Sequence, residues 1–453
     1  MIRAAASQVA EWVGGRLHGP DVDIQGVSTD TRDLVPGSVF VALRGPRFDG
    51  HAFARAAHDA GAAALLVEQP APVDLPQVRV DDTLAALGRL AAAWRDRLSV
   101  RVVALTGSNG KTTVKELCAA ILGRVGSTWA TRGNLNNHIG VPLTLLSIGP
   151  EHRFAVVEMG ANHPGEIDAL ARLVRPEVAL VNNAGPAHLE GFGTVEGVAR
   201  AKGEIFGGLG PEGTAVFNAD DRHAGVWMER TRGLRRLRFG FRGQAEIRGS
   251  AGADGALQVE TPWGGFNVRL QLAGRHNQYN ALAATAAALA LEAPLDAVVQ
   301  GLEAVAPVGG RLAPVPARHG AWLIDDTYNA NPASLRAGIE ALCAMDGEPW
   351  LVLGDMAELG GAAAALHEAA GRQAREAGVR RLFAVGALAR RAAESFGAGG
   401  AAFEDVASLV EAVDAALRGG ERILVKGSRS ARMERVVDAL RADQGEEGPQ
   451  HAA

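Results

Sequence analysis

Only two cysteines, Cys118 and Cys343, occur in the 453 residues, and they lie far apart with no CxxC pair. A disulfide framework or a zinc ribbon is therefore not indicated, and a reducing cytoplasm is the expected compartment. A basic excess is also missing. Lys and Arg number 46 against 51 Asp and Glu, a net charge of −5. Nucleic-acid binders ordinarily carry a basic stripe, so no nucleic-acid partner is expected. Anionic small molecules stay compatible, because a few local donors can hold a phosphate. No apolar run approaches the roughly 18 residues that span a bilayer, so no membrane partner is expected either. Gln8 and Glu11 interrupt the N-terminal stretch before the apolar core of a signal peptide could form. Val9, Trp12 and Val13 instead fall at helical spacing. Internal repeats and long low-complexity segments are absent.

What is present is hydrophobic residue in quantity, 47% of the chain, ample for several cores. At about 100–200 residues per domain the length suggests two to four, and the pattern divides into 1–81, 82–307 and 308–453. In the first, Val39 to Leu43 and Ala62 to Val67 read as strands around a helix from His51 to Ala60. A helix from Thr83 to Leu98 leads into the second. There Val100–Leu105, Phe154–Glu158, Val178–Asn182 and Thr214–Asn218 are short apolar strands, the first three followed by helical stretches. That alternation predicts a parallel, doubly wound sheet. Between about 235 and 272, short β-like runs with glycine turns predict an antiparallel insertion or flanking sheet. Asn277 to Glu292 is an alanine-rich helix. The third unit alternates strands at Trp322–Asp325, Trp350–Leu353, Leu382–Val385 and Ile423–Val425 with helices, as in a Rossmann-type sheet. The tail from about Ala442 is polar and expected to fray.

The most informative segment runs from Val103 through Thr106, Gly107, Ser108, Asn109, Gly110, Lys111, Thr112 and Thr113, between a strand and a helix. Its glycines let the backbone turn so that N–H groups face a polyphosphate. Lys111 can neutralise the β and γ phosphates and the Thr112 hydroxyl can ligate Mg²⁺. The helix N-terminus adds partial positive charge. The plainer alternative is a tight glycine turn with an incidental lysine. The usual pattern is GxxxxGK[ST]; here Leu105 takes the first glycine's place and Gly107 follows two residues later. Glu158 ends the next strand, at the edge where open α/β sheets bind ligands, and a carboxylate there can hold Mg²⁺.

The shortened TGSNGKTT loop resembles that of the Mur ligase and folylpolyglutamate synthase superfamily, and further motifs extend the resemblance along most of the chain. They imply three α/β domains: an N-terminal domain for a UDP-sugar, a central P-loop domain for ATP, and a Rossmann-like C-terminal domain. Gly133 to Pro142, with Asn134, Asn136 and Asn137, resembles the loop near the γ-phosphate and the nucleotide-sugar. The resemblance implies that His188 ligates a second Mg²⁺ and that Lys202 is carbamylated into an anionic metal ligand. It places Asn277 and Asn280 beside adenine, Arg311 on the ATP phosphates, and one aspartate of the Asp325-Asp326 pair, taken as Asp325, on the ribose. The alternatives are a structural histidine, a surface lysine and a helix-capping asparagine.

Four segments resemble those of the branch of the family that adds D-alanyl-D-alanine to a UDP-N-acetylmuramoyl-tripeptide. Ser28, Thr29, Asp30, Thr31 and Arg32, followed by Arg47 to His51, resemble the domain that holds the UDP-sugar. Gly354 to Gly360, with Asp355 and Glu358, and Lys426 to Ser430, with Lys426 and Arg429, resemble dipeptide-binding loops. The amino-acid-adding branch would show a DNPR-like motif, which is absent, and folylpolyglutamate synthases lack such an N-terminal domain. Both remain the alternatives. ATP and Mg²⁺ are the implied cofactors, and a monomer is expected.

Overall fold

The computed structural model describes residues 1–46, 48–242, 244–252 and 255–442. Arg47 and the tail beyond Ala442 lie outside them.

The central strand Arg101–Thr106 shows how the fold is built. It pairs in parallel with Phe154–Glu158 on one side and Val178–Val181 on the other. Alternate side chains leave it on opposite faces. Val102 and Ala104 enter one core, while Val103 and Leu105 enter another. Burial on both faces explains the unbroken apolar run. Nine strands form this sheet, from Thr128–Ala130 at one edge to Gly264–Val268 at the other. Because its central strands are parallel, Thr106, Glu158, Val181 and Asn218 all end at the same edge.

The antiparallel insertion or flanking sheet expected between about 235 and 272 is corrected in part. Arg235–Gly240 joins Thr214–Asn218 in parallel, and only the three strands from Ile247 to Val268 run antiparallel to one another, as a continuation of the same sheet. Arg235–Gly240 begins on two exposed arginines and buries only Phe239 and Gly240 at its end. It therefore lacks the apolar run that marks its neighbours.

On one face, helices Lys111–Gly123 and Arg275–Ala290 pack against the sheet. Alanine suits the second, because small side chains allow close approach while keeping high helix propensity. Helix Leu295–Ala304 crosses the first at Gly301, where a Cβ would meet the Cα of Ile121 at 2.5 Å. The other face shares one continuous core with the N-terminal unit. Ile2, Val9, Val39, Val41 and Leu66 belong to the same buried cluster as Val102, Val157 and Phe217. Helix Thr83–Arg95, capped by Asp82 on the Ala85 N–H, carries Leu87, Leu90 and Trp94 into the seam. The Trp94 indole donates to the Ile148 carbonyl at 2.8 Å. The N-terminal five-stranded sheet keeps a second, smaller core around Phe40 and Leu65 on its far side.

The third unit is a six-stranded sheet, parallel except for Ala313–Pro316 at one edge. Among the described residues its two cores contain no buried residue before Ala317, with Leu312 and Val315 packed against them. Asp326, Gly354 and Lys426 end neighbouring parallel strands, Trp322–Asp326, Glu348–Gly354 and Glu421–Lys426, and this edge faces the central sheet.

Candidate active site

Between the central and third units lies a cavity of about 650 Å³. Its floor is the loop after Arg101–Thr106. Gly110 adopts φ +77°, and a Cβ there would meet the Asn280 Oδ1 at 2.3 Å and the Asn182 Nδ2 at 2.7 Å. Only glycine fits. The neighbouring strand clamps the loop: Asn182 and Asn183 each donate to the Asn109 carbonyl at 3.0 Å, and Asn183 Oδ1 accepts from the Asn109 N–H at 2.9 Å. Ser108 N–H donates to the Asn183 carbonyl, and its hydroxyl pairs with Gly185. Lys111 folds back onto the Gly107 carbonyl at 2.9 Å. Burial pushes its ammonium pKa down; Glu158 opposes that and Arg311 adds to it.

Asn277 and Asn280 both line the cavity, yet their amides are already engaged. Asn280 Oδ1 accepts from Asn182 at 2.8 Å, Asn280 Nδ2 donates to Asn277 Oδ1 at 3.0 Å, and Asn277 Nδ2 donates to the Ala273 carbonyl at 2.7 Å. Spaced three apart on one helix face, they form a relay that braces Asn182 and, through it, the phosphate loop.

The second group of residues centres on Glu158, only 2% exposed. Its Oε2 accepts from Thr112 Oγ1 at 2.9 Å and its Oε1 from Asn136 Nδ2 at 2.8 Å. Arg311 of the third unit donates to Thr112 Oγ1 at 2.8 Å and stacks on the Tyr328 ring, 4.1 Å from its centroid. Asn134 and Asn137 lie on the same wall, Asn137 also capping the helix Gly140–Ser147. His188 reaches the wall from a left-handed backbone, φ +52°. Burial lowers its pKa while Glu358 opposes the shift. Lys202, on helix Val195–Gly203, is 1% exposed. Burial, aided by the charge of Lys111, lowers its pKa to about 7. Its ammonium sits 5.6 Å from the Phe192 ring centroid, and among the described residues it forms no ion pair.

The sequence expectations divide accordingly. Ser108, Asn109, Gly110, Lys111, Thr112, Thr113, Asn134, Asn136, Asn137, Glu158, His188, Lys202, Asn277, Asn280, Arg311 and Lys426 meet around one cavity. Gly107 lies beneath it as an acceptor for Lys111. Asp325 does not face it: its carboxylate accepts from the Gly310 and Thr327 N–H groups and the Thr327 hydroxyl. The adjacent Asp326 lines the cavity instead, paired with Lys426 at 2.5 Å. Lys426, buried and also bound to the Asn329 carbonyl, already has its charge matched. Asp355 accepts from the Leu388 and Ala389 N–H groups, which positions the following helix. Arg429 is exposed and pairs with Glu434. Glu358 touches His188 and does not line the cavity. Ser28, Thr29, Asp30, Thr31 and Arg32 form a turn of their own, in which Asp30 holds Arg32 at 2.5 Å. They lie apart from this cavity.

Sequence reasoning preferred Asp325 to Asp326 and missed His276 and Asn331. Asn331 donates to Asn109 Oδ1 at 2.7 Å while capping helix Pro332–Cys343. The Asn331-Pro332 pair followed by Ser334 was the visible signal for that cap.

Comparison with known proteins agrees with this arrangement. Three family models match: "Mur ligase family, catalytic domain" over 23–95, "Mur ligase middle domain" over 105–288, and "Mur ligase, glutamate ligase domain" over 310–429. The UDP-N-acetylmuramoyl-tripeptide--D-alanyl-D-alanine ligase of Escherichia coli (strain K12) is 47% identical, covering 97% of this chain and 99% of that protein. The crystal structure of MurF from Acinetobacter baumannii superposes with a TM-score of 0.91 at 36% identity, covering 97% and 99% of the two chains. That of the MurF ligase from Thermotoga maritima in complex with ADP gives 0.81 at 29% identity, covering 92% and 96%. With a phosphate loop and a facing third sheet in place and end-to-end similarity of this degree, the chain belongs to the Mur ligase family.

Proposed function

We propose that this protein is an ATP-dependent ligase that joins D-alanyl-D-alanine to a UDP-N-acetylmuramoyl-tripeptide and so forms the UDP-muramoyl-pentapeptide precursor of peptidoglycan. It acts as a monomer in the cytoplasm. The units 1–81, 82–307 and 308–453 hold the UDP-sugar end, ATP and the dipeptide respectively. The observation that carries the reading is the meeting of Lys111, Glu158, His188, Lys202 and Arg311 on one cavity, in a chain that matches the E. coli dipeptide ligase over nearly its whole length.

The tripeptide carboxylate attacks the γ-phosphorus, the bond to ADP breaks, and an acyl phosphate forms. The neutral dipeptide amine then attacks the acyl carbonyl, phosphate leaves with its bonding electrons, and the nitrogen gives up one proton to the departing phosphate or solvent. In this reading Lys111 and Arg311 offset charge on the transferring group while the asparagine relay holds the loop in place, so catalysis is mainly positioning and charge stabilisation.

The donor set fits Mg²⁺. The Thr112 hydroxyl and Glu158 carboxylate are hard oxygen ligands, and among the described residues no three His, Cys, Asp or Glu side chains converge to form a complete cage. That is the type of site which Mg²⁺ completes with water and substrate phosphates. His188 and Lys202 would hold a second ion. When bound, the ions neutralise the phosphate oxygens. A lysine whose pKa is about 7 is substantially neutral at physiological pH. Its free amine can add to CO₂, forming an N–C bond and releasing a proton, and so turn a repelling cation into an anionic ligand.

The test supplies ATP, Mg²⁺ and a UDP-muramoyl-tripeptide with D-alanyl-D-alanine, L-alanine, D-glutamate, L-lysine or meso-diaminopimelate, and follows ADP release and product mass. A site that hydrogen-bonds a peptide unit rejects single amino acids strongly, so turnover is expected with the dipeptide alone. Preference for L-lysine or meso-diaminopimelate on a UDP-muramoyl-dipeptide would reassign the protein to the amino-acid-adding branch.

A further inference from the structure

We propose that Glu358 is a positioning residue that fixes the His188 imidazole for metal binding, and that it does so only when the third unit is closed over the central one. The inference rests on the ligase reading, in which His188 is a metal ligand.

Glu358 Oε2 lies 2.6 Å from His188 Nδ1. That nitrogen is fully buried, and among the described residues its only contact is this ion-pair approach, which lacks the angle of a hydrogen bond. A bare lone pair facing a carboxylate at this distance would be repelled, so the proton belongs on Nδ1. The lone pair then remains on Nε2, which hydrogen-bonds to no described residue, while the ring lines the cavity. A carboxylate behind the far nitrogen is the usual device that fixes the tautomer and ring orientation of a metal-binding histidine.

The backbone supports the same conclusion. Both residues are non-glycine and both adopt the left-handed region, His188 at φ +52° and Glu358 at φ +61°. Such conformations are uncommon and persist where the surroundings over-determine them. Around Glu358 the surroundings do so. Met356 and Leu359 are buried on either side. The Met356 N–H donates to the buried His367 at 2.9 Å, and the Ala357 N–H donates to Ser428 Oγ at 3.0 Å. Ser428 N–H in turn donates to the Asp355 carbonyl at 3.0 Å. The loop is thus fixed at each neighbour of Glu358, while the Glu358 side chain itself is half exposed and extends across to the central unit.

Among the described residues the two units share no hydrophobic cluster. The contact therefore exists only while they are apposed. Closure would complete the support of a metal ligand as well as bring substrates together.

Mn²⁺ serves as the probe. Full-length protein with ADP is titrated with Mn²⁺, and free ion is followed by electron paramagnetic resonance, for wild type, His188→Ala, Glu358→Gly and Glu358→Gln. Glycine suits the left-handed backbone, so that variant removes the carboxylate while keeping the fold, as a melting curve would verify. The expected result is a 10–100-fold weaker Mn²⁺ site in Glu358→Gly, the range for lost outer-shell partners. Glu358→Gln, which retains an acceptor oxygen, should lose less. In steady state the KM for Mg²⁺ should rise, with kcat largely restored at high Mg²⁺. The ¹⁵N shifts of His188 should report an Nδ1–H tautomer in wild type and a mixture in Glu358→Gly. Unchanged Mn²⁺ affinity overturns the proposal, all the more if the KM for the dipeptide rises instead. If His188→Ala also leaves Mn²⁺ binding intact, the failure lies in the metal reading of His188 itself and not in the place given to Glu358.

Discussion

Arg311 Nη2 donates to Thr112 Oγ1 at 2.8 Å, so a residue just inside the third unit touches the first turn of the helix that follows the phosphate loop. Removing it should weaken both closure and charge stabilisation at the transferring phosphate. Arg311→Ala is expected to lower kcat on the order of 10²-fold, the usual cost of losing one aimed donor. Small-angle scattering with ADP and UDP-muramoyl-tripeptide should show a larger radius of gyration than for wild type. Equal kcat and equal radius in the variant would remove Arg311 from the mechanism.

Lys202 is tested by its chemistry with CO₂. Lys202→Arg should be nearly inactive, because a guanidinium does not form the carbamate, and Lys202→Ala should be partly rescued by short carboxylic acids. With ¹³CO₂, wild type should show a carbamate carbon signal that Lys202→Arg lacks. Since the amine titrates at about 7, the neutral form grows as pH rises through that value. At fixed dissolved CO₂ the signal should strengthen from pH 6 to 8. Full activity in Lys202→Arg would make the residue an ordinary buried cation.

Asn280→Ala should act on the phosphate loop from outside it. The substitution leaves buried Asn277 Oδ1 without a partner and takes from Asn182 Nδ2 one of its two acceptors, the Asn109 carbonyl remaining, a cost of about 1–3 kcal/mol. A urea titration would read that loss, and the KM for ATP should rise in parallel. A stability change without any change in ATP affinity would confine the relay to a purely structural role.

His276 gives a pH signature. Burial, with the charge of Lys426, lowers its pKa from 6.5 to about 4. Between those values the unfolded chain carries the extra proton, so stability falls as pH falls, by up to about 1.4 kcal/mol per pH unit. Below 4 the loss is complete. His276→Gln should flatten the dependence of the urea midpoint between pH 6.5 and 4. An unchanged slope would show that His276 titrates near its ordinary value.

Much of this arrangement was readable from local pattern. Apolar strand runs, the glycine loop with Lys111 and Thr112, and Glu158 at a strand end each follow from residues a few positions apart. Features that depend on distant partners were hidden. Asp325 and Asp326 are chemically identical neighbours, and only the pairing of Asp326 with Lys426, far along the chain, turns one toward the cavity. Asp355 looked like a substrate ligand because nothing nearby shows that it holds the N–H groups of Leu388 and Ala389. Asn277 and Asn280 resemble adenine-side residues, and their sequence does not show that Asn182 engages Asn280, which in turn engages Asn277. Polar residues beside a cleft thus divide into those that meet the ligand and those that hold the wall, and sequence spacing does not separate the two.

The core that passes without a break from Ile2 and Val41 to Val157 and Phe217 has a mechanical consequence. The three largest sheets therefore rest on two separate sets of cores among the described residues. The first and central sheets share a core and should behave as one base, while the third, an arm joined by the short stretch after Val305, meets that base through the polar contacts of Arg311, Asn331 and Glu358. Calorimetry should resolve two melting units rather than three. A cut near residue 307 would free the arm from an intact base, whereas a cut near residue 81 would expose the inside of that base to water.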